Sequence, residues 1–353
     1  MRNKGKPTVI LITGVAGFIG AFLAKTILEQ KTETVCVVGV DNLNHYYDPN
    51  LKKKRLLMIE EAGKKAEIRQ GEQAFYFVKA DISQESEISW IFNQYHPSVV
   101  VNLAAQAGVR YSIDHPEEYI KTNLVGFFHI LEECRKGYQE GWLEHFVFAS
   151  SSSVYGDNEK TPYKVEDKTD LPVSLYAATK KSDELMARSY SRLYGIPSTG
   201  LRFFTVYGPM GRPDMAYFSF TEKMLSGEPI ELYNYGNMKR DFTYIDDVVN
   251  CVMKVLKVPP EFGEVRCPFA IYNIGNSHPE NLKDFVDLLE LNLRKEGLLK
   301  KQAKRKYAPM QAGDVYQTYA DMTVFEQKFG RFDFTSLTEG LEKFVRWYKQ
   351  EYA

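Results

Sequence analysis

Short apolar runs rich in Val, Ile and Phe alternate with amphipathic segments through the first half of the chain. The runs VILIT (9–13), VCVVGVD (35–41), AFYFVKAD (74–81), VVVNLAA (99–105), HFVFASS (145–151) and TGLRFFTVYG (199–208) have strand length and β-branched or aromatic content. Segments with helical period lie near 18–30, 51–62, 84–95, 117–136 and 176–194. Strands apolar on both faces, separated by helices, predict an α/β fold: a Rossmann-type doubly wound parallel sheet covered on both sides. After Gly208 the pattern breaks into GPMGRPDM, IELYNYG, KRDFTYIDD, AIYNIG and APMQAGD. Those pieces predict a smaller C-terminal lobe built largely from loops, where specificity tends to sit. The expected division is 1–208 and 209–353, with segments around 240–275 returning to the first unit and AIYNIG (270–275) rejoining its sheet.

Residues 9–28 admit a second reading. Arg2, Lys4 and Lys6 precede an almost uncharged run, the layout of a secretory signal or membrane anchor. Gly14, Gly17 and Gly20 speak against it, as do Thr13 and Thr26. Lys25 and Glu29 end the run early, and no small-x-small cleavage site follows. A strand, a glycine turn and a helix account for the stretch better.

Composition narrows the function classes. The chain has 353 residues, 44% hydrophobic and 26% charged, with net charge −1, so no global field favours nucleic acid or an anionic membrane. An anionic ligand must be held by local groups. Cys36, Cys134, Cys251 and Cys267 form no C-x-x-C pair and read as reduced thiols. The six histidines show no ligand spacing, so no metal site is expected.

The glycines carry the first chemistry. Spaced G-x-x-G-x-x-G between a strand and a helix, Gly14, Gly17 and Gly20 allow backbone N–H groups to approach a pyrophosphate at the helix N-terminus. Asp41 ends the next strand, 21 residues after Gly20, where a carboxylate accepts a ribose 2′-OH and repels a 2′-phosphate. NAD is therefore expected rather than NADP. Asp81 ends the third strand and is expected to meet the adenine amino group. The competing reading is that both aspartates cap the helices that follow.

SLYAATKKSDEL places Tyr176 and Lys180 four apart on one helix face, and FASSSSVYG ends the preceding strand with Ser150 to Ser153. Each motif alone is common on surfaces and in turns. A phenol serves as a base near neutrality only if its pKa of about 10 falls by about 3 units. One cation at about 4 Å supplies roughly that much at an effective dielectric of about 20. Lys180 qualifies, and a serine beside the base can orient a substrate hydroxyl.

With these residues in view, the chain resembles an extended short-chain dehydrogenase/reductase of the nucleotide-sugar-modifying kind along nearly its whole length. Family-wide motifs are GVAGFIG, NLAAQA, SSSSVYG and YAATK. DNLNHYYDPNLKKKRL, QAGVRYSI, YGPMGRPDM, YGNMKRDFTYIDD and PMQAGDV make it most similar to the UDP-glucuronate 4-epimerases. The resemblance implies a catalytic group of Ser151, Ser152 and Ser153 with Tyr176 as base and Lys180 as its electrostatic partner. It implies cofactor contacts from Phe18, Ile19, Asn42, Ile82, Leu103, Ala104 and Ala105 beside Gly14, Gly17, Gly20, Asp41, Asp81, Tyr176 and Lys180. Related dehydratases carry an Asp-Glu pair at the positions of Ser152 and Ser153, and related decarboxylases a glutamate at Ser153. Serine at both argues for removing and returning a hydride without elimination. NAD is then regenerated in each cycle and is expected to stay bound.

For the substrate, the resemblance brings Arg212 and Thr205 to the carboxylate of a uronic acid. Arg240, Asp314 and Tyr233 fall to the UDP moiety, and Arg110 to the substrate site. Arg212 has a rival role as a loop-stabilising salt bridge with Asp214, and Tyr233 as a core residue. LKKKRL (51–56) reads as a solvated helix face rather than an anion site. Three other functions compete: epimerisation of a neutral UDP-sugar, decarboxylation of UDP-glucuronate, and a non-catalytic NAD-binding scaffold. The GRPDM loop, Ser153 and the intact Ser151–Tyr176–Lys180 set speak against them in turn. A cytoplasmic homodimer is expected, paired through helices near 117–136 and 176–194, with no nucleic-acid or membrane partner.

Overall fold

The computed structural model describes residues 7–31, 34–263, 267–311 and 314–352; Arg2, Lys4, Lys6 and residues 312–313 of PMQAGDV lie outside them. Strands β1 (Thr8–Thr13), β2 (Val35–Asp41), β3 (Phe75–Lys79), β4 (Val99–Asn102), β5 (His145–Ser151) and β6 (Ser198–Phe203) are joined by helical crossovers. Further strands are β7 (Thr205–Tyr207), β8 (Ile230–Leu232), β9 (Lys239–Tyr244), β10 (Phe269–Ile274), β11 (Pro279–Asn281) and β12 (Arg305–Tyr307). The central sheet has seven parallel strands in the order β10-β6-β5-β4-β1-β2-β3. Two smaller sheets, β11-β9-β7 and β12-β8, lie beyond it.

Strand periodicity divides the core into two. Ile10, Ile12, Val37, Val99 and Val101 face one hydrophobic cluster, while Leu11, Cys36, Val38, Val40 and Val100 face the other. The first cluster takes in helices Phe18–Glu29, Pro49–Gln70 and Ile245–Leu256, and the second takes in Glu85–Tyr95 and Phe127–Glu140. Strand order reverses between β1 and β4, and this switch point opens a crevice beyond the carboxyl ends of the strands.

Several boundaries differ from the sequence pattern. The run 199–208 breaks at Phe204, and its second part leaves the sheet to pair with β9 as β7. The segment near 117–136 is three pieces, Pro116–Tyr119, a π-helical turn at Ile120–Gly126, and Phe127–Glu140, with a further short helix, Tyr111–Asp114, just before it. The region after Gly208 is not mainly loops. It contains helices Ala216–Ser226, Ile245–Leu256, Leu282–Lys295, Thr323–Phe329 and Leu337–Tyr352, whose apolar faces the short motifs had obscured. β10 forms the sheet edge beside β6.

The solvated-face reading of LKKKRL holds for exposed Lys53 but not for the whole run. The helix runs from Pro49 to Gln70, and Lys52 and Arg55 are buried at 5% and 0% exposure. Both face inward because they have acceptors there. Lys52 Nζ donates to Asn44 Oδ1 at 2.7 Å and lies 3.9 Å from Asp41 Oδ1. Arg55 donates to the carbonyls of Ala16 (3.0 Å), Met210 (2.6 Å) and Gly211 (3.2 Å).

Candidate active site

A cleft of about 420 Å³ opens at the switch point. Its floor at one end is the glycine turn. Gly14 has φ +68, and a Cβ there would come within 2.7 Å of Ala104 N; one at Gly20 would meet Gly14 O at 2.3 Å. Gly17, the N-cap of the Phe18–Glu29 helix, has no side chain to satisfy the first-turn N–H groups. This is the geometry that receives a pyrophosphate. Gly14, Gly17, Phe18, Ile19, Gly20, Asp41, Asn42, Ile82, Leu103, Ala104 and Ala105 all line the cleft.

Neither aspartate is an N-cap. Asp48 caps the Pro49–Gln70 helix, and Gln84 precedes Glu85–Tyr95. Asp41 instead accepts N–H bonds from Ala16 (3.2 Å) and Leu43 (2.8 Å), which ties the end of β2 to the glycine turn. Asp81 does not line the cleft; it accepts from Asn42 Nδ2 (3.3 Å) and from Ser83 N (2.9 Å). Burial acts to raise its carboxyl, but the Ser83 and Asn42 hydrogen bonds hold it below the usual range.

The chemical end is set by β5 and the Leu175–Tyr194 helix. Ser174 caps that helix by accepting from Ala177 N at 3.1 Å, which fixes the start of the turn carrying Tyr176. Tyr176, Lys180 and Ser151 to Ser153 line the cleft together. Lys180 is 2% exposed and donates to Ala149 O (3.0 Å) and Asp183 Oδ2 (3.1 Å). Ser151 Oγ donates to Ser153 Oγ at 3.0 Å and accepts from Ser153 N at 3.1 Å. Beneath them, Arg202 of β6 grips Glu184 through two nitrogens (2.8 and 2.9 Å), and Ser150 Oγ donates to the same carboxylate at 2.7 Å.

Thr205 and Arg212 reach the same cleft. The Arg212–Asp214 salt bridge is present, with Nε 3.0 Å from Oδ1 and a second contact through Nη2. Tyr46 adds its hydroxyl to Asp214 Oδ2 at 3.1 Å. Burial raises the Asp214 carboxyl, yet Arg212 and Tyr46 outweigh it and hold it low. The Tyr46 phenol is pushed up to about 12 by burial and by the Asp214 charge.

The remaining predicted residues gather beyond the mouth. Arg110 donates to Asp314 at 3.0 Å, and its guanidinium lies 4.8 Å from the centre of the Tyr233 ring. Tyr233 is half-buried, with its hydroxyl on Glu231 at 2.7 Å. Arg240 Nη1 donates to the carbonyls of Lys239 (2.9 Å) and Tyr316 (3.2 Å) rather than to a carboxylate. Desolvation lowers the Arg240 pKa, opposed by Asp314. Sequence reasoning missed Tyr46, Tyr47, Asn44 and Lys52, all lining the cleft. All four stand in DNLNHYYDPNLKKKRL, where only Asp41 and Asn42 carry an expected cofactor contact and Lys52 falls in the run read as a solvated face.

Among the described residues no cluster of His, Cys, Asp and Glu has metal-binding geometry, and no helix is long and apolar enough to cross a membrane. A nucleotide-binding sheet with a tyrosine–lysine pair at its switch point defines a dehydrogenase-like class. Residues 10–275 match the model of the NAD dependent epimerase/dehydratase family, and the chain belongs to that family. It is 45% identical to protein CapI of Staphylococcus aureus, over 97% of this chain and 99% of that protein. It is 41% identical to a probable UDP-glucuronate 4-epimerase of Rhizobium meliloti, over 97% of each chain. The crystal structure of UDP-glucuronic acid 4-epimerase from Bacillus cereus, in complex with UDP-glucuronic acid and NAD, is similar with a TM-score of 0.82 and 31% identity. That similarity covers 98% of this chain and 100% of the other.

Proposed function

We propose that this enzyme interconverts UDP-glucuronate and UDP-galacturonate by NAD-dependent epimerisation at C4. The observation that carries the reading is that Tyr176 and Arg212, a base and a carboxylate receptor, line one cleft with the glycine turn. Bound NAD supplies the acceptor for the C4 hydride and, once reduced, its donor. Tyr176 takes the C4 hydroxyl proton and gives it back after the 4-keto sugar has turned over. Lys180 stabilises the phenolate, and Ser151 orients the C4 oxygen. Asp41 receives the adenosine ribose.

The 4-keto uronate is a β-keto acid and loses CO2 when its carboxylate bond aligns with the ketone π system. Arg212, Thr205 and the hydroxyls of Ser152 and Ser153 hold the carboxylate out of that alignment. Arg212 exchanges Asp214 for the substrate carboxylate as it does so. Arg240 contacts the diphosphate, and Arg110, Asp314 and Tyr233 the uridine. The sheet with the returning β10 forms the NAD lobe, and most of 209–353 forms the UDP-sugar lobe.

Exposed Ile120, Val125, Phe128, Leu185 and Leu193 on the 116–140 and Leu175–Tyr194 segments support a homodimer paired through these helices. Four unpaired thiols, three of them buried, support a reducing, cytoplasmic setting. Incubation with UDP-glucuronate followed by chromatography tests the reading. A C4 epimer supports it; a UDP-pentose with CO2 makes the enzyme a lyase, and unchanged substrate removes the assignment.

A further inference from the structure

Tyr176, Lys180 and Asp183 stand at i, i+4 and i+7 on the Leu175–Tyr194 helix. Seven residues advance an α-helix by about 10.5 Å and return it to within about 20° of the same direction. The three side chains therefore form one stripe, with Lys180 between the other two. Asp183 is 0% exposed, and its Oδ2 lies 3.1 Å from Lys180 Nζ. Its other oxygen, Oδ1, is buried with no hydrogen-bond donor. The second acceptor of Lys180 is neutral, the carbonyl of Ala149.

We propose that Asp183 is a positioning residue that tempers the charge Lys180 presents to Tyr176, so that one phenol serves as base and then as acid. The inference rests on Tyr176 and Lys180 being the base and its cation. Epimerisation removes a proton from the C4 oxygen and later restores it. A group that does both works best when neither form is strongly favoured at the working pH. An uncompensated buried ammonium would favour the phenolate and slow the return step. A carboxylate two turns away offsets part of that field.

The charged neighbours fit this arrangement. Glu184, next on the helix, is bound by Arg202 from β6 and Ser150 from β5, with Lys181 at 3.4 Å. The Ile120–Gly126 turn offers the neutral Asn123, which donates to Thr179. Glu132 on the Phe127–Glu140 helix is engaged by Arg135 and Tyr190. Burial, opposed by Lys180 and reinforced by Glu184, pushes the Asp183 carboxyl up to about 7. The orphaned Oδ1 costs stability and has no structural return, which is common for groups kept for function.

The test compares wild type with Asp183→Asn, and with Asp183→Ser should the first variant not fold. The acidic limb of kcat/KM for UDP-glucuronate is expected to move down by at most about one pH unit, the field of one full charge at this separation, and by less where Asp183 is already protonated. Phenolate absorbance, isolated by subtracting the matching Tyr176→Phe protein, is expected to titrate lower by the same amount without substrate. Superimposable pH profiles and phenolate titrations overturn the role of Asp183. Full activity in Tyr176→Phe alone overturns the base assignment instead, and the two failures are read apart.

Discussion

Arg212 and Asp214 face each other across a two-residue step, the guanidinium meeting both carboxylate oxygens at the rim of the cleft. The cation is thus pre-paired, and in the proposed function a substrate carboxylate replaces a carboxylate already in place. A charge-assisted hydrogen bond of this kind contributes about 1.5–3 kcal/mol, so Arg212→Ala should lose about one to two decades of kcat/KM for UDP-glucuronate. Residual turnover of UDP-glucose, which has no such charge, should fall far less. Equal losses on both sugars would leave Arg212 a loop support only.

Tyr176→Phe keeps the ring, which packs edge-on against Tyr119 with centroids 6.1 Å apart, and removes the oxygen. General-base catalysis is worth about 10²- to 10⁴-fold. Epimerisation should drop by that order while UDP-sugar affinity, measured by calorimetry, stays near wild type. An unchanged rate would assign the proton to another group.

Arg55 connects two parts of the cleft that are far apart in sequence. It binds Ala16 O in the glycine turn and Met210 O and Gly211 O in the loop before Arg212. Arg55→Met retains bulk but strands these carbonyls, and hydrogen bonds to a charged group contribute about 1.5–3 kcal/mol each. Denaturant unfolding should show a loss of at least about 2 kcal/mol, with weaker NAD retention and a raised KM together. A change confined to stability would show that the two ends do not communicate through this side chain.

His145 supplies a pH dependence of stability. Fully enclosed at the start of β5 and bonded to Thr199 Oγ1 at 2.9 Å, it is held down at about 4 by desolvation. A depressed folded pKa means stability is complete above the unfolded value near 6.5 and declines as pH falls toward the folded one. The loss at pH 5 should be about 2 kcal/mol relative to pH 7. His145→Gln should flatten that part of the curve in urea titrations at the two pH values.

The legible parts of this molecule are those where one residue type answers one local demand. The glycine turn, the aspartate ending β2 and the Tyr176–Lys180 spacing each follow from backbone geometry or helical period. Lys52 and Arg55 were not legible, because a charge run on a helix looks solvated until its acceptors are known. Those acceptors are carbonyls and amides from 8 to 156 positions away in the chain. The segment near 117–136 failed for a related reason. Its apolar period is continuous, but Asn123 satisfies Gln106 N and O and Thr179 Oγ1, and it does so from within the π-helical turn. The helices after Gly208 were masked by motifs that draw attention to chemistry rather than to periodicity. Asp183 was passed over because nothing in KKSDEL separates a carboxylate on the buried stripe from its solvent-facing neighbours.

The return of β10 to the sheet bears on how the chain is made. Synthesis proceeds from the N-terminus, so β6 emerges well before the strand that flanks it. Until residues 269–274 follow, the open edge of a six-stranded parallel sheet offers its unpaired N–H and C=O groups to any extended segment nearby. A sheet assembled up to that point would therefore leave its own late strand in competition with a mispaired neighbour. Slow translation between β6 and β10 would lengthen that exposure, and a chaperone that shields strand edges would shorten it.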